Sequence, residues 1–427
     1  MNTSLFEEEK DVLVRQRSYL DDFVLPDYEK LNVKSISSIV GDIYGINSLV
    51  KARLSEDYVD DFGGVEKVFL IIIDGLGYDR LLTHIRNNDG VLAELAARGV
   101  LKPLTSTFPA TTSTSLASIF TGLSPSEHNL IGYLMFSREY GCVFNTLDMK
   151  PIFGYSSHVE IAKDFARRIR PWMPALQMHS VRTLVATKGS IVGSGLSRVV
   201  HADTEIIPYM LDSEMMVKCK KALEQHGRTL LMLYYSGIDT LEHRYGPNSE
   251  EVTCEIQSFE DHLKRFFGKL SESTRKETLI MLMADHGVSE TRRVHYLKDS
   301  PGIADRLLLP PVGDSRTAFL FTKQGQGENF KTAFERSVGG FKLVPSKELI
   351  DIGAFGRTAD STMLEAAVGD FTALSKGADA LQYPYFADDR TREQLGGHGG
   401  MTAAEIIVPL LSLKLSKLYK SQSWLGG

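Results

Sequence analysis

The sequence predicts an α/β fold: a mostly parallel central sheet flanked by helices, with a folded cap subdomain inserted late in the chain. Three observations predict it. Four separate apolar runs each border a short loop carrying Asp or His. Helical periodicity fills much of the space between the runs. A stretch of different texture, residues 296–394, interrupts the pattern before the last run.

Taken in order, residues 1–60 read as a helical extension packed on the core. After a charged start, residues 31–50 set Val33, Ile36, Ile39, Val40, Ile43 and Ile46 at helical spacing. Then comes Val68-Phe69-Leu70-Ile71-Ile72-Ile73, an unbroken apolar run of the kind that suits a central parallel strand buried on both faces. It stops at the turn Asp74-Gly75-Leu76-Gly77, and a helical pattern over about 78–98 follows, with Gly99 as its C-cap. The same grammar recurs where Leu230-Leu231-Met232-Leu233-Tyr234-Tyr235 meets Ser236-Gly237-Ile238-Asp239. It recurs again where Leu279-Ile280-Met281-Leu282-Met283 meets Ala284-Asp285-His286-Gly287. The last strand, 406–413, follows the loop that contains His398. The core is therefore expected over 61–295 and 395–427. Ligands of such sheets gather at the carboxyl ends of the strands, where three of these motifs lie.

Residues 296–394 hold Pro310-Pro311, scattered glycines and the cluster Tyr383-Pro384-Tyr385-Phe386. A loop of that length is improbable in a compact domain, so a folded cap over the strand ends is expected. Segment 136–228 carries no readable motif, and the chain shows neither an internal repeat nor a low-complexity tract.

With 427 residues, 43% hydrophobic and 24% charged, the chain is long enough for a large core plus an insertion. A net charge of −6 argues against a stable grip on nucleic acid or an anionic membrane. Cys142, Cys219 and Cys254 are widely spaced and odd in number, which points to buried free thiols in a reducing compartment. The start MNTSLFEEEKDVLVRQ lacks the order of a signal peptide, and no run approaches a membrane span. A cytoplasmic protein is expected.

Six residues of metal-ligand type border the apolar runs: Asp74, Asp239, His243, Asp285, His286 and His398. Asp239 and His243 stand four apart, so on a helical turn they share a face and can hold one ion. Asp285 and His286 are adjacent and converge only in a tight strand-end turn, which Gly287 permits. Mixed carboxylate and imidazole sets suit zinc, with manganese or iron as substitutes. Hydroxyls are supplied by Ser106-Thr107-Phe108-Pro109-Ala110-Thr111-Thr112-Ser113-Thr114, ahead of Leu116, Ile119 and Phe120 at helical spacing. A hydroxyl at such a helix N-terminus meets unpaired backbone N–H groups that favour a phosphate. The same residues also suit a plain N-cap. Gly189-Ser190-Ile191-Val192-Gly193-Ser194-Gly195 lacks the Lys-Ser/Thr of a phosphate-binding loop and reads as a turn.

These pieces together resemble the alkaline phosphatase superfamily, in its type I phosphodiesterase/nucleotide pyrophosphatase branch. The matching strings are FLIIIDGLG, FPATTSTSLASIFTGLSPSEHNLIGY, YYSGIDTLEHRYGP, MLMADHG and GGHGGMTAAEIIVPLL, in the family's order. The resemblance implies a mostly parallel sheet between helices, with a cap inserted before the final metal histidine. It also implies two divalent ions: Asp239, His243 and His398 hold one, and Asp74, Asp285 and His286 hold the other with the nucleophile oxygen. The family's nucleophile stands three residues after a proline and nine before the Thr-Gly that ends the helix; counts from Pro109 and from Thr121 both reach Thr112. Thr107 and Thr111 are the alternatives.

One position departs from the pattern. The branch has a phosphate-binding asparagine 21 residues after the nucleophile, where this chain has Tyr133. A phenol donates one hydrogen bond and either replaces that role or packs. Tyr133 and Ser113 are the expected substrate-binding residues. His295, Tyr296, Tyr383, Tyr385 and Phe386 either line a substrate slot or pack within the cap. The expected enzyme is a metal-dependent hydrolase of phosphodiester bonds working through a covalent phospho-threonine, on a small phosphorylated substrate such as a nucleotide. The alternatives are a phosphomonoesterase or phosphonate hydrolase of the same superfamily, and a catalytically silent nucleotide-binding module.

Overall fold

The computed structural model describes residues 2–46, 58–154, 160–385 and 394–418. Its centre is a sheet of seven strands: β1 (Lys67–Ile73), β2 (Val100–Thr105), β3 (Arg182–Lys188), β4 (Glu205–Tyr209), β5 (Thr229–Tyr235), β6 (Thr278–Ala284) and β7 (Ile407–Lys414). Their order across the sheet is β2-β7-β6-β1-β5-β3-β4. β6, β1, β5, β3 and β4 pair in parallel, and β7 alone runs antiparallel to its neighbours β6 and β2. Every residue of β1, β5 and β6 is buried, because helices cover both faces and leave a central strand no solvent side.

Two expected helices are shorter than their apolar patterns. The run 31–50 forms a 3-10 turn, Val33–Ser35, and a helix, Ile36–Ile43. It ends where Gly45 takes φ +70° and the Ile46 N–H returns to the Gly41 carbonyl; residues 47–50 lie outside those described. The run 78–98 is two helices, Tyr78–Asn87 and Val91–Arg98. They are divided by Gly90, where any Cβ would overlap the Glu260 carboxylate. That carboxylate accepts from the Leu92 N–H at 2.7 Å and meets His84 Nε2 at 2.7 Å, so a buried side chain caps the second helix.

A second seven-stranded sheet is antiparallel throughout. Four of its strands come from the insertion: Val312–Gly313, Thr317–Leu320, Phe341–Pro345 and Phe371–Ser375. The other three, Leu134–Ser137, Cys142–Asn145 and Lys150–Gly154, come from earlier in the chain and join through the pair Gly313↔Leu134. The expected cap boundary at 296 leaves these three strands out, since their pairing partners lie far off in the chain. The rest of segment 136–228 supplies β3 and β4 of the central sheet. Phe23, Phe108, Ile131, Phe355 and Met401 join an apolar cluster with Val143, Val312, Phe319, Val344 and Leu374 of the second sheet. Among the described residues no helix is long and apolar enough to cross a membrane.

Candidate active site

Strand register builds the site. Ile73 pairs with Tyr235 on one side and Ala284 on the other, so Asp74 and Asp285 leave the sheet side by side. One residue beyond β5, the helix Gly237–Tyr245 starts and carries Asp239 and His243 on successive turns. Because β7 is antiparallel, the loop before it, with His398, reaches the edge where β1, β5 and β6 end. Gly75 makes the approach possible: at φ +81°, a Cβ there would stand 2.6 Å from Glu242 Oε2 and 3.1 Å from Asp239 Cβ.

All six predicted ligands meet. His286 Nε2 lies 3.3 Å from Asp74 Oδ1 and 3.6 Å from Asp285 Oδ2. Asp239 Oδ1 lies 3.5 Å from His243 Nε2 and 3.8 Å from His398 Nε2. The His398 ring stacks on that of His286 at 4.0 Å and stands 4.9 Å from that of His243. Among the described residues, two groups have ligand atoms close enough together to hold an ion: Asp74, Asp285 and His286, and Asp239, His286 and His398. His286 belongs to both, so it sits between the two halves of the cluster.

The electrostatics favour a cation. Asp74 Oδ1, Asp239 Oδ1 and Asp285 Oδ2 are buried without a hydrogen-bond partner. Burial, then repulsion from Asp285 and Asp239, pushes the Asp74 carboxyl well above its usual range, and burial also raises Asp285. Burial and the neighbouring His286 and His243 rings hold His398 neutral, the form that ligates. His243 Nδ1 is 2.9 Å from the Gly396 carbonyl and His286 Nδ1 is 3.2 Å from that of Gly287. A carbonyl only accepts, so Nδ1 is the donor in each contact and Nε2 is the ring nitrogen left for the cluster.

Thr112 is the first residue of the helix Thr112–Thr121, and its Oγ1 stands 3.1 Å from His286 Nε2. It opens on a cavity of about 730 Å³ that Tyr133, His243 and His398 also line. Thr107 lies elsewhere: fully buried, its hydroxyl donates to the Pro109 carbonyl and meets Ser115 Oγ at 2.8 Å. The Ser113 hydroxyl donates to the Gly132 carbonyl at 3.0 Å, so that side chain fixes the loop before Tyr133. Tyr133 is 43% exposed, and Tyr383 and Tyr385 line the same cavity. His295 is instead tied to Asp379 at 2.8 Å and packs edge-on against Phe341, and Phe386 lies outside the described residues.

Three features were not anticipated from the sequence. The buried Tyr234 hydroxyl donates to Asp74 Oδ2. A tyrosine tip inside an apolar strand needs a polar partner, and that was the available signal. Asp314, in a turn of the second sheet, accepts from the Tyr133 N–H at 3.4 Å and from the Thr111 hydroxyl, and burial raises its carboxyl to about 7. Arg316, fully buried, pairs with Glu405 at 2.7 and 3.1 Å. Glu405 also accepts from the Gly400 N–H and the Thr402 hydroxyl in the loop after His398.

Comparison with known proteins agrees with this architecture. Residues 68–308 match the family model described as type I phosphodiesterase/nucleotide pyrophosphatase. An uncharacterized pyrophosphatase/phosphodiesterase of Schizosaccharomyces pombe is 26% identical over 240 residues, 52% of this chain and 45% of the relative. The match thus spans less than half of that relative's length. The structure of murine ectonucleotide pyrophosphatase/phosphodiesterase 5 aligns with a TM-score of 0.60 at 18% identity, covering 81% of this chain and 87% of that one. An inactive threonine-to-alanine form of that protein, in complex with AMP, aligns with a TM-score of 0.60 at 17% identity over the same shares. Phosphonoacetate hydrolase from Sinorhizobium meliloti 1021, in complex with phosphonoformate, aligns with a TM-score of 0.60 at 16% identity, covering 82% of this chain and 90% of that one. At such identities the structural likeness bears out the expected fold.

Proposed function

From the premise that the chain belongs to the type I phosphodiesterase/nucleotide pyrophosphatase family, within the alkaline phosphatase superfamily, we propose that it hydrolyses phosphodiester or pyrophosphate bonds through a covalent phospho-threonine on Thr112. One observation carries this reading: Thr112 Oγ1 stands 3.1 Å from Nε2 of His286, the residue common to both ligand groups, and Thr112 lines an open cavity.

The family is metal-dependent, and the unpartnered carboxylate oxygens and the imidazole Nε2 atoms of the cluster suit divalent cations. We assign two ions, zinc by donor type with manganese or iron as substitutes. Asp239, His243 and His398 would hold one, and Asp74, Asp285, His286 and the Thr112 oxygen the other. Bound there, the ions would lower the hydroxyl's pKa and stabilise charge on the entering and leaving oxygens.

The chain's own groups do the rest. Thr112 Oγ1 gives its proton to solvent and forms a bond to phosphorus as the bond to the leaving oxygen breaks, and the departing alkoxide or phosphate takes up a proton from water as it needs one. Water then cleaves the phospho-threonine. The first-turn N–H groups of the Thr112–Thr121 helix lack intrahelical acceptors and suit the non-bridging oxygens. Ser113 contributes through its N–H, since its hydroxyl is engaged, and Tyr133, which lines the cavity, is a candidate side-chain contact for the substrate. The second sheet and its surrounding segments serve as a cap. AMP bound to the murine relative supports a nucleotide-like substrate. The three free cysteines accord with a reducing, cytoplasmic setting, although Cys254 is exposed and not buried as expected.

The test is Thr112→Ala in enzyme supplied with zinc or manganese. Turnover of an aryl phosphodiester is expected to fall by roughly 1,000-fold or more, with bound metal unchanged, and chelation is expected to silence the wild type. Turnover retained by the variant overturns the assignment.

A further inference from the structure

Asp314 is a fourth carboxylate at this site, outside the proposed ligand set. It stands in the turn between the paired strands Val312–Gly313 and Thr317–Leu320, and its own N–H donates to the Thr317 carbonyl at 2.7 Å. Two glycines make room for it. A Cβ on Gly132 (φ +81°) would come 3.0 Å from Asp314 Oδ2, and one on Gly399 (φ +102°) would overlap Asp314 Cβ. The side chain is therefore seated between the residue before Tyr133 and the residue after His398. It lines the cavity together with Thr112 and is held by two neutral donors, the Tyr133 N–H and the Thr111 hydroxyl. Two neutral donors orient a carboxylate without cancelling its charge.

We propose that Asp314 selects substrate by charge, disfavouring the dianion of a phosphomonoester and leaving a singly charged phosphodiester as the preferred substrate. This rests on the phosphoesterase reading above and names the substrate class within it. A monoester loses its second proton with a pKa of about 6, whereas a diester keeps one negative charge throughout. Where Asp314 is ionised, above about pH 7, the extra charge in the cavity meets a negative neighbour that water screens incompletely. The insertion, not the metal cluster, would thus set the choice of ester.

The experiment compares kcat/KM for 4-nitrophenyl phosphate and methyl 4-nitrophenyl phosphate, which share a leaving group, on metal-supplied enzyme at about pH 8.5, well above the raised Asp314 pKa. Wild type should prefer the diester. Asp314→Asn keeps the shape and an acceptor oxygen, and should move the ratio toward the monoester by about tenfold or more. Asp314→Glu keeps the charge and should hold the ratio within about threefold of wild type. A wild type that prefers the monoester overturns the proposal without any variant, so no folding defect can mask that result. A ratio unmoved in Asp314→Asn overturns it too. Turnover of neither ester by the wild type instead overturns the phosphoesterase reading, and this inference falls with it.

Discussion

Tyr234 shows how one residue tunes a site it does not line. Its buried hydroxyl donates to Asp74 Oδ2, leaving Oδ1 turned toward His286. Such a donor orients a ligand carboxylate and stabilises its ionised form. Tyr234→Phe should weaken binding of the metal near Asp74 by roughly tenfold, read by titration calorimetry, while secondary structure stays unchanged. Equal affinity in the two proteins would show that the bond does no positioning. At this scale the sequence marked Asp74, Asp239, His243, Asp285, His286 and His398, because each lies in a segment bordering a recognisable strand. Asp314 was illegible: an aspartate between glycine and serine looks like any turn until a distant helix N-cap is placed beside it.

At the scale of elements, the two sheets are tied where the chain passes from one to the other. Arg316 follows Asp314 by two residues, and its pairing with Glu405 fixes the loop between His398 and β7. Both partners are fully buried, so removing one leaves a charge with no counterion. Arg316→Leu should cost about 3–5 kcal/mol, seen as a lower urea midpoint. Weaker metal binding should accompany it through the freed His398 loop. A midpoint unchanged within error would mean that Glu405 finds another partner. The helix patterns at 31–50 and 78–98 were legible in kind but not in extent. Apolar spacing runs on through Gly45 and Gly90, whereas the breaks depend on a backbone turn and on the carboxylate of Glu260.

For the molecule as a whole, acid is the sensitive direction. His128 Nδ1 accepts from the Leu130 N–H and its Nε2 meets Ser118 Oγ, so the ring is committed as a neutral group. Burial lowers its pKa from 6.5 to about 3, and burial lowers that of His201 to about 4. Between those values and 6.5 the unfolded chain binds protons that the folded one refuses. Stability from these two rings is therefore intact above about pH 6.5 and is lost as pH falls toward 4, by on the order of 3 kcal/mol each. Thermal scans from pH 7 to 4 should show the decline, and His201→Asn should flatten part of it. A slope identical in the variant would assign the loss to other groups.

The sequence alone determined the strands of the core and the chemistry at their ends. A continuous apolar run has no stable place except between two covered faces, and the polar residues that follow it must emerge at the sheet edge. Only the tertiary structure decided that β7 runs antiparallel, which brings His398 to the edge shared by Asp74 and Asp285. It also decided that residues 134–154 join the inserted strands, and that Asp314 stands beside Thr111 and Tyr133. These are pairings between segments far apart in the chain. Local propensity and periodicity depend on near neighbours, so they carry no record of which distant strand or side chain completes the contact.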